Sequence, residues 1–193
     1  SKTKTDVVIE IEVKILEIDK EKVMQTLRDL GAEELEEILI EERAFDFSDN
    51  SLIKKRAFLR VRKKANKTPI DLKTSKNKEW GEGTFQEAEE IEFDVSDSEK
   101  AKQLFLALGL KQIKHRQKNR KTFKINTKDI QSIIDIDTFP NTPTYMEVEG
   151  SKENIIKTLK LLGYSLEDTC SLPASKILEH HGKNPDNIFF EKK

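Results

Sequence analysis

The first part of the chain alternates apolar and charged residues with a period of two. In the stretch VVIEIEVKI, Glu10, Glu12 and Lys14 stand between valine and isoleucine residues. Successive side chains of a β-strand point to opposite faces, so this spacing predicts a strand over residues 6–17 with one apolar face and one charged face. A polar N-cap signal and an amphipathic helix follow, and the helix ends at Leu-Gly.

The same order of a Glu-x-Glu strand, a polar cap, an amphipathic helix and Leu-Gly occurs twice more. Glu90 and Glu92 repeat the pair in EEIEFDV, and Glu147 and Glu149 repeat it in YMEVE. Short polar side chains cap helix N-termini, and glycine commonly ends helices. The predicted caps are Asp19, Ser96 or Asp97, and Ser151. The predicted helices lie at residues 20–30, 97–108, 152–163 and 174–181.

Other predicted strands carry cations in place of carboxylates. Arg60 and Arg62 alternate with apolar residues in FLRVRKK, and Lys73 follows in DLKTS. A long basic stretch, either one strand or a pair, carries Lys118 and Arg120. Turns or single helices join most of these segments, which favours an antiparallel sheet or barrel with helices outside. The predicted strands lie at residues 6–17, 38–47, 58–64, 70–75, 85–95, 112–125, 132–137 and 145–149.

The composition narrows the class of protein. A chain of 193 residues without a long linker suits a single domain, and 37% charged against 35% hydrophobic residues predicts a small core and extensive charged faces. The formal net charge of −1 argues against a nucleic-acid partner, because backbone binding requires a basic surface. The single cysteine, Cys170, fits a reducing, cytoplasmic compartment. No apolar run approaches the roughly 18 residues of a membrane span.

The charged strand faces have two interpretations. In an open sheet, the Glu-x-Glu pairs and the arginines would be ordinary solvated charges. In a closed barrel they would line one interior, where unbalanced charges are costly unless a ligand neutralises them. Divalent cations would balance the carboxylates and a polyanion would balance the cations, so a metal-bound triphosphate would satisfy both sets.

The ordered set of motifs resembles the CYTH superfamily of triphosphate tunnel metalloenzymes, which includes class IV adenylyl cyclases, thiamine triphosphatases, inorganic triphosphatases and fungal RNA triphosphatases. EIEVK resembles its ExExK signature, and LRVR, DLKTS, EEIEFDV and QKNRKTF resemble its later strands in the same order. Asp137 with YMEVE resembles its closing D…ExE pattern. The resemblance implies an α+β fold in which an eight-stranded antiparallel β-barrel forms a tunnel with helices packed outside. It also implies a domain over residues 1–182 and a C-terminal tail over residues 183–193.

The resemblance also implies roles for individual residues, with Mg²⁺ or Mn²⁺ as the cofactor. Glu12 and Lys14 are the implied catalytic residues. The implied metal ligands are Glu10, Glu12, Glu147 and Glu149 for one ion, and Glu90, Glu92 and Asp137 for a second ion or its water. The implied triphosphate contacts are Lys14, Arg60, Arg62, Lys73, Lys118 and Arg120. Two alternatives stay open in the same strands. Lys114 and Arg116 share a face with Lys118 and Arg120, which allows a two-residue shift in register, and Asp135 could likewise take the place of Asp137.

Three functions remain open at this level. The leading hypothesis is metal-dependent hydrolysis of inorganic triphosphate or of a small organic triphosphate such as ATP or thiamine triphosphate. The second is an adenylyl cyclase that makes cyclic AMP and pyrophosphate, since no adenine-reading motif separates the two. The third is a non-catalytic polyphosphate-binding module, against which the many carboxylates argue.

Trp80, in a glycine-flanked loop, is either a base-stacking residue or a plain surface tryptophan. We expect a monomer or homodimer.

Overall fold

Eight antiparallel strands close into a barrel in the computed structural model, which describes residues 8–78 and 83–191. The strands along the chain are β1 (Val8–Ile15), β2 (Glu33–Glu34), β3 (Ile38–Phe47), β4 (Ala57–Lys63), β5 (Pro69–Ser75), β6 (Gln86–Asp94), β7 (Leu110–Asn126), β8 (Gln131–Thr138), β9 (Tyr145–Gly150) and β10 (Asn187–Ile188). Around the barrel the order is β3, β4, β5, β6, β1, β9, β8 and β7, and β7 pairs with β3 to close the sheet. The predicted α+β barrel is therefore confirmed.

The helices pack outside this barrel, and their predicted N-caps are confirmed. They are α1 (Lys20–Asp29), α2 (Ser51–Lys54), α3 (Ser98–Ala107), α4 (Lys152–Leu161) and α5 (Ala174–His180), with a short 3-10 helix at Leu166–Asp168. The side chains of Asp19, Asp97 and Ser151 each accept a backbone N–H bond from the first turn of the following helix. These caps fix where the chain turns from a barrel strand into an outer helix.

The apolar core lies between the outer barrel wall and the helices. Val13 of β1 and Val148 of β9 are fully buried, and they pack in one cluster with Leu27 of α1 and Ile155 of α4. A second cluster joins β3, β4 and β5 to α3, where the Phe45 ring meets another aromatic ring edge-on. Because the outward faces hold the core, the alternating strand pattern directs the charged side chains inward.

Short elements that carry no periodic signal were not predicted. β2 and β10 have two residues each and pair with β7, and α2 is a single turn after the β3 strand. The basic stretch that allowed one strand or two is a single 17-residue strand. The predicted tail packs along it, since His115 N donates to Asp186 O at 2.8 Å. The boundary at residue 182 stays a prediction, and Trp80 lies outside the described residues.

Gly150, at the end of β9, lies too close to the neighbouring strand to tolerate a side chain. A Cβ atom there would stand 2.9 Å from the backbone oxygen of Gln131, which cannot move without disturbing β8. We expect Gly150→Ala to lower the free energy of unfolding by about 1–3 kcal/mol through overpacking. Urea denaturation measures this change, with Glu153→Ala on the exposed face of α4 as the control. A midpoint equal to that of the control would contradict the prediction.

Candidate active site

The inward faces of the barrel strands enclose a cavity of about 780 Å³ with a strongly charged wall. All the predicted site residues line it except Asp137, which is fully buried behind the wall. The predicted residues on the wall are Glu10, Glu12, Lys14, Arg60, Arg62, Lys73, Glu90, Glu92, Lys118, Arg120, Glu147 and Glu149. The alternatives Lys114, Arg116 and Asp135 also line the cavity, so its position alone does not separate them from the predicted set.

Strand register brings two predicted Glu pairs together across β1 and β9. Glu12 lies opposite Glu149, and Lys14 lies opposite Glu147. Directly paired residues in an antiparallel sheet have Cβ atoms about 5 Å apart and point to the same face. Glu10 follows on the same face of β1, so these carboxylates form one acidic group, which we call the β1–β9 group.

Two lysines lie among the carboxylates of this group. Lys14 Nζ stands 2.5 Å from Glu12 Oε1 and 3.4 Å from a carboxylate oxygen of Glu147. Lys73 Nζ, from β5, lies 3.0 Å from the other oxygen of Glu12 and 2.7 Å from Glu10 Oε2. All of these side chains are at most about one-sixth exposed, so the ion pairs are little screened by solvent.

The lysines do not fully balance the β1–β9 group. Burial raises the pKa of Glu10 to about 8, against the attraction of Lys73. Burial, together with the nearby charge of Glu12, raises the pKa of Glu149 to about 7. Glu10 Oε2 is also buried without an aligned hydrogen bond in the described part of the chain. A divalent cation favours several carboxylate oxygens, so this group fits a bound metal.

A second acidic group lies across β5 and β6. Glu90 stands opposite Lys73, and Glu92 stands opposite Asp71. Carboxylate oxygens of Asp71, Glu90 and Glu92 all lie within 4.8 Å of one another. The sequence grouped Asp137 with this pair, but Asp137 lies on β8 beside two basic residues. Its role as a metal ligand stays a prediction.

The Asp137 carboxylate is held by the cations of β7. Lys118 Nζ donates to it at 2.5 Å, and Arg120 donates to both of its oxygens at 2.6 and 2.7 Å. Burial opposes ionisation of this group, but the charges of Arg120 and Lys118 outweigh it and hold the pKa of Asp137 well below its usual range. Arg120 also donates to Glu147 Oε2 at 2.7 Å, which links these cations to the β1–β9 group.

Sequence reasoning missed Glu42, a carboxylate in the same interior. Glu42 is 4% exposed and accepts hydrogen bonds from Arg116 Nε at 3.0 Å and Arg60 Nη1 at 3.1 Å. Burial would raise the pKa of Glu42, but these two guanidinium groups hold it well below its usual range. The sequence pattern could have identified Glu42, because this residue occupies an inward position of the predicted strand at residues 38–47.

Lys64 continues the inward series of Arg60 and Arg62 and was also missed. It lines the cavity and forms no ion pair within residues 8–78 and 83–191. Burial and the nearby charge of Arg62 lower the pKa of Lys64 to about 8. An unpaired cation on this wall adds to its affinity for an anion.

The chain after the last barrel strand supplies part of the cavity wall. Ser171 and Ser175 line the cavity. Arg116 Nη1 donates to Ser175 Oγ at 3.2 Å and to the backbone oxygen of Pro185 at 3.3 Å. Backbone bonds between Lys14 and Cys170 tie this segment to β1. The C-terminal segment therefore forms part of the cavity wall, although its sequence lacks the alternating charged pattern of the barrel strands.

Comparison with known proteins agrees with this architecture. A family model described as the CYTH domain matches residues 8–170. A protein of Methanocaldococcus jannaschii, provisionally named an adenylate cyclase, is 29% identical over 168 residues, covering 87% of this chain and 91% of that protein. The chain belongs to the CYTH domain family.

Two solved structures share the fold. A protein of Vibrio parahaemolyticus, provisionally named an adenylate cyclase, has a TM-score of 0.74 at 13% identity and covers 90% of this chain and 99% of its own. A Hippeastrum protein, provisionally named an adenylyl cyclase and described as having a dominant triphosphatase activity, has a TM-score of 0.59 at 18% identity, covering 90% and 96%. At these identities the likeness concerns the fold alone.

None of the helices within residues 8–78 and 83–191 is long and apolar enough to cross a membrane. The cytoplasmic location and the monomeric or homodimeric state stay predictions.

Proposed function

We propose that this protein is a divalent-metal-dependent triphosphatase that cleaves the terminal phosphate of inorganic triphosphate or of a small organic triphosphate. The observation that carries the proposal is one cavity with two unlike walls. Most of the carboxylates lie on β1, β9 and β6, with Lys14 and Lys73 among them. Most of the cations lie on β4 and β7, with Glu42 of β3 between them. A metal-bound polyphosphate presents both the cation and the anion that such walls favour.

The carboxylates of the β1–β9 group would hold the metal, with Mg²⁺ or Mn²⁺ as the expected ion. When bound, the metal would supply Lewis-acid polarisation of phosphate oxygens and neutralise their charge. Lys14 would stay among these carboxylates, where its ammonium group can reach both Glu12 and an adjacent phosphate oxygen. Glu12 would fix the position of Lys14 and Lys73 through the two short contacts that it makes.

The arginines would grip the phosphates from the opposite wall. A guanidinium group offers paired N–H donors that match phosphate oxygens, and phosphoryl transfer depends mainly on positioning and on neutralising charge. Arg60, Arg62 and Arg120 each already donate to, or pair with, buried carboxylates, so their side chains are fixed before a ligand binds. Lys118 and Lys64 would add point charges beside them.

An adenylyl cyclase is the second candidate. The relative of Methanocaldococcus jannaschii carries that provisional name, whereas the description of the Hippeastrum protein includes a dominant triphosphatase activity. Both activities would use the same grip on three phosphates, and they differ in the nucleophile: water in one case and the ribose hydroxyl in the other. A non-catalytic polyphosphate-binding module is the third candidate, although cations alone would serve that role.

Product analysis separates these candidates. The protein is supplied with inorganic triphosphate and, in parallel, with ATP, each with Mg²⁺ or Mn²⁺, and products are identified by phosphorus NMR. The proposal predicts orthophosphate from inorganic triphosphate, with loss of turnover when EDTA is added. Cyclic AMP with pyrophosphate from ATP would overturn it in favour of the cyclase. Tight binding without any turnover would overturn it in favour of the binding module.

A further inference from the structure

Asp71 lies behind the wall of the cavity rather than on it. Its position in the middle of β5 is opposite Arg60 on β4 and opposite Glu92 on β6. The residue is 0% exposed, and its carboxylate is not among the groups that line the cavity. It therefore cannot touch a ligand in the cavity without a change in the barrel, and its effect on the site must pass through its neighbours.

Both oxygens of the Asp71 carboxylate face arginines of the cavity wall. Arg60 Nε donates to Oδ2 at 2.6 Å. Arg62 Nη2 lies 2.8 Å from Oδ1, in an ion pair without hydrogen-bond alignment. The same Nη2 atom also contacts Glu92. One buried carboxylate thus contacts both arginines of β4.

This contact matters because arginine side chains are flexible. An arginine side chain loses rotamer entropy when it is fixed, and a pre-organised guanidinium loses less on binding. Arg60 and Arg62 are two residues apart on one strand and point into the same cavity. A shared partner between them sets the direction of both guanidinium groups before any ligand arrives.

Asp71 also stands near Glu90 and Glu92, which raises the alternative that it is a cation ligand. The complete burial of Asp71 argues against a role as a cation ligand. The side chain of Glu92 is 45% exposed and can reach solvent, whereas Asp71 has no exposed surface and both of its oxygens lie within ion-pair distance of guanidinium groups. Buried charges of this kind are retained when they are paired, and here both partners are arginines.

We propose that Asp71 is a positioning residue that orients Arg60 and Arg62 for phosphate oxygens. This inference rests on the proposed function, because it takes the two arginines as triphosphate contacts. It assigns to Asp71 no contact with substrate or metal. If Asp71 has this role, removing its charge lowers the affinity for triphosphate and leaves the metal concentration needed for turnover unchanged.

The test compares Asp71→Asn with Asp46→Asn. Asp46 is an equally buried carboxylate of the same barrel, but it accepts backbone bonds at the start of α2 and does not line the cavity. Calorimetry with inorganic triphosphate in the absence of metal measures phosphate binding, and a Mn²⁺ titration of turnover measures the metal requirement. We expect Asp71→Asn to raise the Kd and the KM for triphosphate about 10-fold, with kcat and the Mn²⁺ midpoint close to those of Asp46→Asn.

Two results would overturn the proposal. One is a Kd for triphosphate equal to that of Asp46→Asn. The other is an unchanged Kd with a shifted Mn²⁺ midpoint, which would make Asp71 a cation ligand. If the parent protein itself neither binds nor hydrolyses triphosphate, the proposed function fails instead. Should Asp71→Asn not fold, Asp71→Glu, which keeps the charge but moves the carboxylate by one methylene, is compared with Asp46→Glu. A higher Kd for triphosphate in Asp71→Glu is then the expected result, and an equal Kd would overturn the proposal.

Discussion

Glu12→Gln is expected to lower kcat for triphosphate hydrolysis about 100-fold, the upper end of the effect seen when groups around a metal are altered. Glu12 is 7% exposed and shares its two oxygens between Lys14 and Lys73. The amide keeps the shape of the side chain but removes the charge. The β1–β9 group then loses affinity for a divalent cation, and both lysines lose the anion that fixes them.

The same substitution is expected to keep triphosphate binding in the absence of metal. A carboxylate repels phosphate, so the loss of the Glu12 charge does not weaken anion binding by the arginines of β4 and β7. Steady-state kinetics with Mn²⁺ measures kcat, and calorimetry without metal measures binding. Glu153→Gln, an exposed carboxylate on α4, is the matched control. A kcat for Glu12→Gln within a factor of about 3 of that control would contradict the assigned role.

Arg120→Ala is expected to have the largest combined effect on stability and binding. Arg120 contacts Asp137, Asp135 and Glu147, and its side chain is 13% exposed. Removing it leaves fully buried Asp137 with Lys118 as its remaining lysine or arginine partner in the described residues. Breaking a buried ion pair in this way costs about 3 kcal/mol of unfolding free energy. Loss of the guanidinium should also weaken triphosphate binding about 100-fold.

Urea denaturation and calorimetry measure the two effects separately. Arg120→Lys is the informative companion, because it keeps one charge but not the paired N–H donors. We expect it to recover most of the stability and less of the binding, since only the guanidinium matches phosphate oxygens in pairs. If Arg120→Ala binds triphosphate as tightly as the parent while its stability falls, Arg120 is purely structural and the proposed grip is wrong.

Strand and helix positions followed from the sequence wherever the pattern was periodic. The strand predicted at residues 38–47 has those bounds as β3, and the cap predicted at Asp19 is formed. β2 and β10 escaped prediction because two residues cannot show a period. Their existence depends on pairing with β7, which is a tertiary interaction.

Closure of the barrel could not be derived from periodicity. An alternating strand has the same pattern in an open sheet and in a barrel, and the difference lies in whether β7 pairs with both β8 and β3. Closure is what distinguishes solvated charges from buried ones: Lys14 is 4% exposed and Asp137 is 0% exposed. The resemblance to a tunnel family supplied this step, and the strand pairing confirms it.

The sequence predicted which residues line the cavity better than it predicted which of them contact one another. Asp71 stands between isoleucine and leucine in PIDLK, and nothing local indicates that it contacts arginines on β4. Glu42 sits in a weakly alternating strand, and its partner Arg116 lies 74 positions away in the chain. Such contacts depend on the register between strands that are distant in the chain, and this register cannot be predicted from the local pattern of one sequence.

The position of metal and phosphate inside the barrel is the central claim. Diffraction from crystals grown with Mn²⁺ and a non-hydrolysable imido analogue of inorganic triphosphate, collected at the manganese absorption edge, tests it directly. We predict an anomalous peak among Glu10, Glu12, Glu147 and Glu149, with phosphate density against the arginines of β4 and β7. Manganese and the analogue bound only on the outer surface, with the interior lysines still paired to the carboxylates, would contradict the account.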